Sequence, residues 1–233
     1  MSAIPNVAHA NDDPVSRRLS SRLKLLIDQF TTDAEIILRW SSTIISLYNQ
    51  SPPRYYHTLG HIDHMLNLFD ECKSQLQNHS TIELSIWFHD IIYEPKLNDN
   101  EIQSIGLFNQ FGQQVNLNSQ MKSDVEYLIQ CTISHDISIP PNNLSQSEVE
   151  YFLDFDMAIL GEDRRTYEIY AENIHKEYSH FGTSYANNRI AFLMRTCNQA
   201  NIFKTDQFKQ RENQARNNIK WEIEMLRSSA QNG

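Results

Sequence analysis

Glycine is scarce in this 233-residue chain, which contains only six. A chain built only of β-strands needs many tight turns, and glycine is common in them, so the scarcity disfavours an all-β fold. Long hydrophobic runs are also missing, since no stretch approaches the roughly 20 apolar residues of a membrane-spanning helix. Long charged and amide-rich segments favour helices instead, and the length is typical of one domain.

Positive charge is in deficit. The chain has 20 Lys and Arg against 29 Asp and Glu, which gives a formal net charge of −9. Binding to a nucleic-acid polymer needs clustered Lys and Arg to neutralise phosphates, so this composition argues against that class of partner. A small phosphorylated substrate remains compatible with the charge, because a bound cation can invert the field inside a site.

The three cysteines, Cys72, Cys131 and Cys197, are too few and too scattered for a disulfide framework. Their number is odd and no Cys-x-x-Cys occurs, so we interpret them as buried free thiols in a reducing compartment. Residues 1–15 contain no apolar segment of signal-peptide length. We therefore expect a cytoplasmic protein with no membrane partner.

Apolar residues recur at helical spacing along most of the chain, and no strand alternation persists. Capping boxes of the form Ser/Thr-x-x-Glu, which begin at Thr32, Ser80 and Ser145, mark helix starts. The box at Ser80 predicts a helix that continues to Tyr93. The pattern as a whole predicts an all-α fold of nine or ten helices in one domain over residues 16–228, with tails at 1–15 and 229–233.

Two aspartates lie on the helix predicted to begin at Ser145. Asp156 follows Phe152 by four residues and precedes Ile159 by three, which places it on the apolar face. A carboxylate on a buried face must be paired or bind a metal, because an isolated buried charge is too costly. Asp156 is therefore a candidate ligand, whereas Asp154 is predicted to be solvated or to support a ligand.

His61, His89 and Asp90 also lie on or beside apolar faces. A single buried histidine is most often a hydrogen-bonded core residue, but several segments that each present His or Asp inward favour a metal site. Imidazole and carboxylate ligands suit Mn, Fe, Co, Ni or Zn, and Mg less naturally. Adjacent residues on a helix point about 100° apart, so His89 and Asp90 could share an ion only over their common edge.

A histidine, then a His-Asp pair, then a distant aspartate, each on its own helix, resembles the HD superfamily of metal-dependent phosphohydrolases. The similarity is closer to one branch, the small predicted HD phosphohydrolases. It extends from about residue 54 to about residue 218. The segments that carry it are RYYHTLGHIDHML, WFHDIIYEP, DNEIQSI, TISHD, FLDFDMAILG, HKEYSHF and ENQARNNI.

The resemblance implies an HD-domain helical bundle and a divalent metal centre. Carried over position by position, the metal ligands are His61, His89, Asp90 and Asp156, and the ion is Mn, Fe, Co, Ni, Zn or Mg. Such an ion would lower the pKa of a bound water and polarise a phosphoryl oxygen. The resemblance therefore implies hydrolysis of a phosphate ester.

Two further histidines have two interpretations each. His57 forms a His-x-x-x-His pair with His61 and could contact metal or substrate, or it could be an ordinary loop residue before the helix. His135 ends a predicted helix, in the segment Ser134-His135-Asp136. It could hold a second metal or contact phosphate, or it could satisfy a carbonyl at the helix terminus.

The predicted catalytic carboxylates are Asp90, which is also a predicted metal ligand, and Glu101. A carboxylate close to the His-Asp pair, Glu101 or Glu94, would orient or deprotonate the attacking water. Glu101 lies in one of the similar segments, although it could instead serve as a helix cap. The candidate phosphate-binding cations are Arg54, Lys96 and Arg189, each of which could instead have a solvated surface role. A Gly-rich phosphate loop is absent from the sequence.

The predicted function is metal-dependent hydrolysis of a small phosphorylated compound, with nucleotides among the candidates. The alternative is a non-catalytic HD module that binds a nucleotide or a partner protein and uses its metal for structure. A helical interaction domain without metal is the third hypothesis. Metal content and turnover separate the three.

Overall fold

The computed structural model describes residues 14–49, 54–135, 137, 140 and 143–231. Within these ranges the chain is helical and has no strand, and none of its helices is long and apolar enough to cross a membrane. Three short 3₁₀ segments lie at Lys73–Gln75, Ala158–Gly161 and Ser179–Ser184. The α-helices are α1 (Pro14–Asp28), α2 (Ala34–Tyr48), α3 (Leu59–Cys72), α4 (His79–Phe88), α5 (Asn100–Gln114), α6 (Ser119–Cys131), α7 (Gln146–Met157), α8 (Arg164–Glu177), α9 (Tyr185–Asn198), α10 (Asp206–Lys209) and α11 (Glu212–Gln231).

The all-α prediction is confirmed, and the eleven α-helices of the described ranges are close to the predicted nine or ten. The additional helix lies near the C-terminal end, where the chain forms the short α10 before α11. The Glu212 side chain, at the start of α11, accepts hydrogen bonds from the backbone of Ile202 and Phe203, which holds the preceding loop against α11. Residues 1–13 and 232–233 of the predicted tails lie outside the described residues.

Side-chain caps fix several helix starts. The capping box at Ser145 is confirmed, with both of its reciprocal hydrogen bonds to Glu148 present. The box predicted at Thr32 is wrong, because Asp33 is the N-cap and accepts the backbone N–H groups of Glu35 and Ile36. The box predicted at Ser80 is also wrong, since α4 already begins at His79.

Helix α4 ends earlier than the sequence pattern predicts. It stops at Phe88, so the segment that was expected to continue to Tyr93 is a turn. Carbonyls at a helix end need partners from elsewhere, and the Tyr48 hydroxyl donates to the carbonyl oxygen of Trp87 at 2.9 Å. In the turn itself, the Arg54 guanidinium donates to the carbonyl oxygens of Asp90 at 2.6 Å and Ile91 at 2.7 Å. A long-range contact therefore holds the turn that follows this helix.

Three helices that lead to the candidate site, α3, α4 and α7, pack against one another, and α6 packs on both α4 and α7. Their contact surfaces are apolar. Trp87 and Phe88 at the end of α4 and Phe152 on α7 are fully buried in one continuous core. This packing brings the N-terminal end of α3 close to the C-terminal ends of α4 and α7.

Gly161 lies where the chain after α7 passes closest to the start of α11. A Cβ atom there would lie 2.6 Å from Cβ of Arg211 and 3.2 Å from its carbonyl oxygen. Backbone must therefore move to accommodate any side chain. We expect Gly161→Ala to lower the free energy of unfolding by about 1–3 kcal/mol, the usual cost of overpacking, as measured by urea denaturation.

Gly106→Ala is the matched control for that substitution. Gly106 lies in the middle of α5, and a Cβ atom there would meet nothing within 4 Å. Alanine favours a helix interior over glycine by roughly 0.5–1 kcal/mol, so this variant should be slightly more stable than the parent. Equal stabilities for the two variants would contradict the close approach at Gly161.

Candidate metal centre

The candidate ligands come from three places in the fold. His61 lies in the first turn of α3, whose start is capped by Thr58, which accepts the N–H of Gly60. His89 and Asp90 directly follow the last residue of α4, and Asp156 lies in the last turn of α7. Both histidines are buried, with 4% and 1% of their surface exposed.

Three of these residues form a compact group of ligand atoms. The Nε2 atoms of His61 and His89 lie 3.2 Å apart. The Oδ2 atom of Asp90 lies 3.1 Å from His89 Nε2 and 3.9 Å from His61 Nε2. These atoms all lie within 4.8 Å of one another, which is the spacing of a group that could hold one metal ion.

Asp156 contacts the same two histidines. Its Oδ1 atom lies 3.2 Å from His61 Nε2 and 3.7 Å from His89 Nε2. Its other oxygen, Oδ2, lies 3.0 Å from Nε2 of His135. Asp156 therefore borders the group on one side and reaches His135, which follows α6 with a positive φ of 56°, on the other.

The group fits a divalent transition metal. Metal–ligand bonds of about 2.0–2.2 Å place neighbouring ligand atoms roughly 3.0–3.5 Å apart, close to most of the separations here. Nδ1 of His89 lies 3.0 Å from the carbonyl oxygen of Ile86, so in the neutral ring this nitrogen carries the proton and Nε2 has the lone pair that a metal would bind. Nδ1 of His61 lies 3.1 Å from the hydroxyl of Tyr56, and the hydroxyl oxygen can accept a hydrogen bond from this nitrogen in the same way.

The carboxylates of the group are held in the ionised form that a metal requires. Burial would raise the pKa of Asp90, but His89 and His57 hold that pKa well below its usual range. Burial acts in the same direction on Asp156, where His135 and His61 outweigh it and lower the pKa.

The pKa values of the two histidines are shifted in opposite directions. Burial lowers the pKa of His61. Burial opposes the charged form of His89 as well, but Asp90 and Asp156 outweigh it and raise the pKa of His89 to about 9. The buried carboxylates therefore favour positive charge at this place, as a proton or as a metal ion.

Glu177, at the end of α8, is a residue of the site that the sequence interpretation missed. Its Oε1 atom accepts the backbone N–H groups of Tyr55, Tyr56 and His57 at 2.7, 2.7 and 3.1 Å. Its Oε2 atom lies 2.7 Å from Nδ1 of His57 and accepts the Tyr93 hydroxyl at 3.1 Å. The side chain is fully buried, so Glu177 fixes the whole segment before α3.

A signal for Glu177 was present in the sequence. Tyr170, Ile174 and Glu177 are spaced by four and three residues, so this acid lies on the apolar face of α8. The same spacing argument selected Asp156 on α7. Tyr178, the next residue, also borders the site, and its hydroxyl oxygen lies 3.2 Å from that of Tyr93.

His57 lies next to the group of ligand atoms. Its ring stacks on Tyr93 with 4.2 Å between the ring centroids, and its Nδ1 faces Glu177. Its Nε2 atom lies 3.9 Å from Oδ2 of Asp90. The Glu177 carboxylate therefore fixes the ring so that the other nitrogen faces Asp90.

The predicted phosphate-binding cations lie in three different settings. Arg54 donates to the carbonyl oxygens of His57 and of the turn after α4, so it joins the two segments that carry site residues. Lys96 is exposed and away from the cavity described below. Arg189 is buried and borders that cavity.

Asp154 was predicted either to be solvated or to support a ligand, and the first alternative is wrong. It is 1% exposed and accepts the backbone N–H groups of Lys204 and Thr205 at 2.8 and 2.7 Å, together with the Thr205 hydroxyl. It therefore anchors the start of α10, on a different side of α7 from Asp156. Asp136, which follows His135 in the predicted segment, lies outside the described residues.

A cavity of about 420 Å³ opens beside the ligand group, within the usual size range of ligand pockets. Asp90, Asp156, His57 and His135 all border it, and so does the predicted carboxylate Glu101. Most of the remaining wall is aromatic or aliphatic. It includes Tyr56, Tyr93, Ile133, Met157, Ile159, Leu160, Tyr170, Ile174, Tyr178, Phe181, Tyr185 and Phe192.

Comparison of the chain with protein-family models, with curated proteins and with solved structures found no match.

Proposed function

We propose that this protein is a metal-dependent phosphohydrolase with a helical HD-type fold that acts on a small phosphorylated compound. The observation that carries the proposal is the convergence of His61, His89, Asp90 and Asp156 beside the cavity. These are the four positions at which the sequence resembles the ligands of the HD superfamily. In space, His61, His89 and Asp90 form the compact group, and Asp156 lies against the two histidines.

The residues of the group would hold a divalent ion through Nε2 of both histidines and through the two carboxylates. When bound, such an ion supplies Lewis acidity that polarises a phosphoryl oxygen and makes water more acidic at neutral pH. The chain prepares for it by keeping both carboxylates ionised and by occupying Nδ1 of His89 with a carbonyl. Affinity for the ion would then arise from ligands that are already held in position before the ion binds.

The groups that handle protons would be the carboxylates that border the cavity. Asp90 and Glu101 both face the space in which a phosphate ester would lie. The carboxylate of Glu101 can orient the attacking water and accept its proton, whereas Asp90 would hold the ion. His57 borders the same space, and Glu177 fixes its orientation.

Turnover on phosphate esters tests the proposal. Protein stripped of metal by a chelator would be reloaded separately with Mn²⁺, Fe²⁺, Co²⁺, Ni²⁺, Zn²⁺ and Mg²⁺. Phosphate release would then be measured on monoesters, diesters and nucleotides. We expect hydrolysis of at least one class with at least one ion, loss of that activity on chelation, and recovery when the ion is restored.

Two outcomes would contradict the proposal in different ways. Stoichiometric metal without turnover on any ester would indicate a non-catalytic module in which the ion serves structure. Failure to bind any of the six ions, with unchanged thermal melting after chelation, would indicate a helical domain without a metal centre.

A further inference from the structure

The cavity beside the metal centre contains very little free positive charge. All 20 Lys and Arg of the chain lie within the described residues, and Arg189 alone among them lines the cavity. Enzymes that bind several phosphoryl groups surround them with Lys and Arg to neutralise the oxygens. The wall of this cavity provides one such side chain.

The charge of Arg189 is already neutralised inside the protein. Its Nε and Nη2 atoms donate to the two oxygens of Glu222 on α11, at 2.8 and 3.2 Å. Both side chains are nearly inaccessible to solvent, at 9% and 5% exposure, and the Tyr167 hydroxyl donates to the same carboxylate at 2.6 Å. Arg189 therefore contributes hydrogen-bond donors and aromatic contacts to the cavity, but little net charge.

The wall also contains His57 and His135, and each lies within hydrogen-bond distance of a carboxylate, that of Glu177 and that of Asp156 respectively. Apart from the tyrosines, the other ionisable groups of the wall are acidic. Asp90, Asp156 and Glu101 all border the cavity. A divalent ion would offset the first two carboxylates and leave Glu101 as an uncompensated negative charge. One phosphoryl group can share the ion, whereas each additional group would bring further negative charge towards Glu101 with no free cation to receive it.

The aromatic part of the wall is suited to an uncharged ring. Tyr56, Tyr93, Tyr170, Tyr178, Tyr185 and Phe192 contribute aromatic faces or edges to it. Aromatic side chains contact planar, apolar ligand groups in stacked or edge-to-face arrangements. Tyrosine hydroxyls add hydrogen-bond capacity without charge.

We infer that the site selects substrates with a single phosphoryl group joined to an uncharged, ring-containing organic group, and rejects diphosphates and triphosphates. The inference rests on the proposed function, and it names the class of substrate that the cavity accepts. Its basis is the pairing of Arg189 with Glu222, which leaves the cavity without a free cation for a second phosphoryl group.

Binding of a matched nucleotide series tests the charge argument. Dissociation constants of adenosine 5′-mono-, di- and triphosphate would be measured by calorimetry on the metal-loaded protein, at a fixed free concentration of the ion. We expect affinity to fall about tenfold with each added phosphoryl group. Benzyl phosphate should bind about tenfold more tightly than ethyl phosphate, because only the benzyl group contacts the aromatic wall.

A gain of positive charge in the wall should weaken this selectivity. Asn188 is exposed and lines the cavity, so Asn188→Lys adds a cation there without disturbing the core. We expect it to reduce the preference for monophosphate over triphosphate at least about tenfold. Asn187→Lys is the matched control, because Asn187 is exposed on the same helix outside the cavity wall and the change in net charge is identical.

The outcomes separate this inference from the proposed function. Triphosphate binding as tight as monophosphate binding in the parent protein, or equal effects of the two lysine variants, would overturn the inference even if esters are hydrolysed. The expected order of affinities without any turnover would support the inference and overturn the proposed hydrolysis. Equal binding of benzyl and ethyl phosphate would overturn the assignment of a ring-containing group.

Discussion

Replacement of His89 by alanine is expected to abolish stoichiometric metal binding and to lower kcat/KM for a phosphate ester by at least about 10²- to 10³-fold, the usual cost of lost electrostatic stabilisation. His89 Nε2 lies within 3.1–3.7 Å of ligand atoms from His61, Asp90 and Asp156, so its removal opens the centre of the group. Asp90→Ala should have the same effect, because it removes the oxygen nearest to His89. Metal content after dialysis and steady-state kinetics measure both.

His64→Ala is the matched control for the ligand variants. His64 lies on α3, three residues after His61, and its Nε2 contacts Glu162 at 3.3 Å outside the ligand group. Metal content and kcat/KM should remain close to those of the parent protein. Retention of one ion per chain in both His89→Ala and Asp90→Ala, with a folded circular-dichroism spectrum, would show that the metal lies elsewhere.

Replacement of Glu177 by glutamine is expected to lower kcat/KM by about 10- to 100-fold, the range typical of residues that orient a metal site. Glutamine keeps one oxygen that can accept the backbone N–H groups of residues 55–57, so the fold should persist. Its amide places N–H donors where the carboxylate now faces Nδ1 of His57 and the Tyr93 hydroxyl. His57 would then lose the contact that fixes its tautomer and its ring orientation.

A spectroscopic measurement distinguishes this positioning role from a general loss of stability. Nitrogen chemical shifts of the His57 ring should report a proton on Nδ1 in the parent protein and a change of tautomer in Glu177→Gln. Glu172→Gln, an exposed position on the same helix, should change neither the shifts nor the kinetics. Unaltered kcat/KM in Glu177→Gln, despite a changed tautomer, would remove His57 from the reaction.

The sequence pattern predicted those parts of the fold that depend on local spacing. Helical periodicity predicted the all-α architecture. It also placed His61 and Asp156 on inward faces, and both lie against the other ligand atoms. Such predictions succeed because a side chain's face depends only on its position within its own helix.

Features that depend on distant partners could not be predicted in this way. Arg54 contacts the carbonyls after α4 across 36 residues of sequence, so no local signal showed that His89 and Asp90 follow a helix end. Asp154 was predicted to be solvated or to support a ligand, because nothing nearby in sequence indicates that the backbone of Lys204 and Thr205 meets it. The helical spacing of Glu177 indicates that it faces inward. Its five hydrogen-bond partners could not be predicted, because they lie about 80 to 120 residues earlier in the chain.

An anomalous-scattering diffraction measurement on crystals of the protein loaded with Mn²⁺, Co²⁺ or Zn²⁺ tests the central claim most directly. The proposed centre predicts one anomalous peak per chain, about 2.0–2.3 Å from Nε2 of His61, Nε2 of His89 and a carboxylate oxygen of Asp90, with Asp156 as a further ligand. An empty space between these four residues, or a peak bound only by other side chains, would contradict the account.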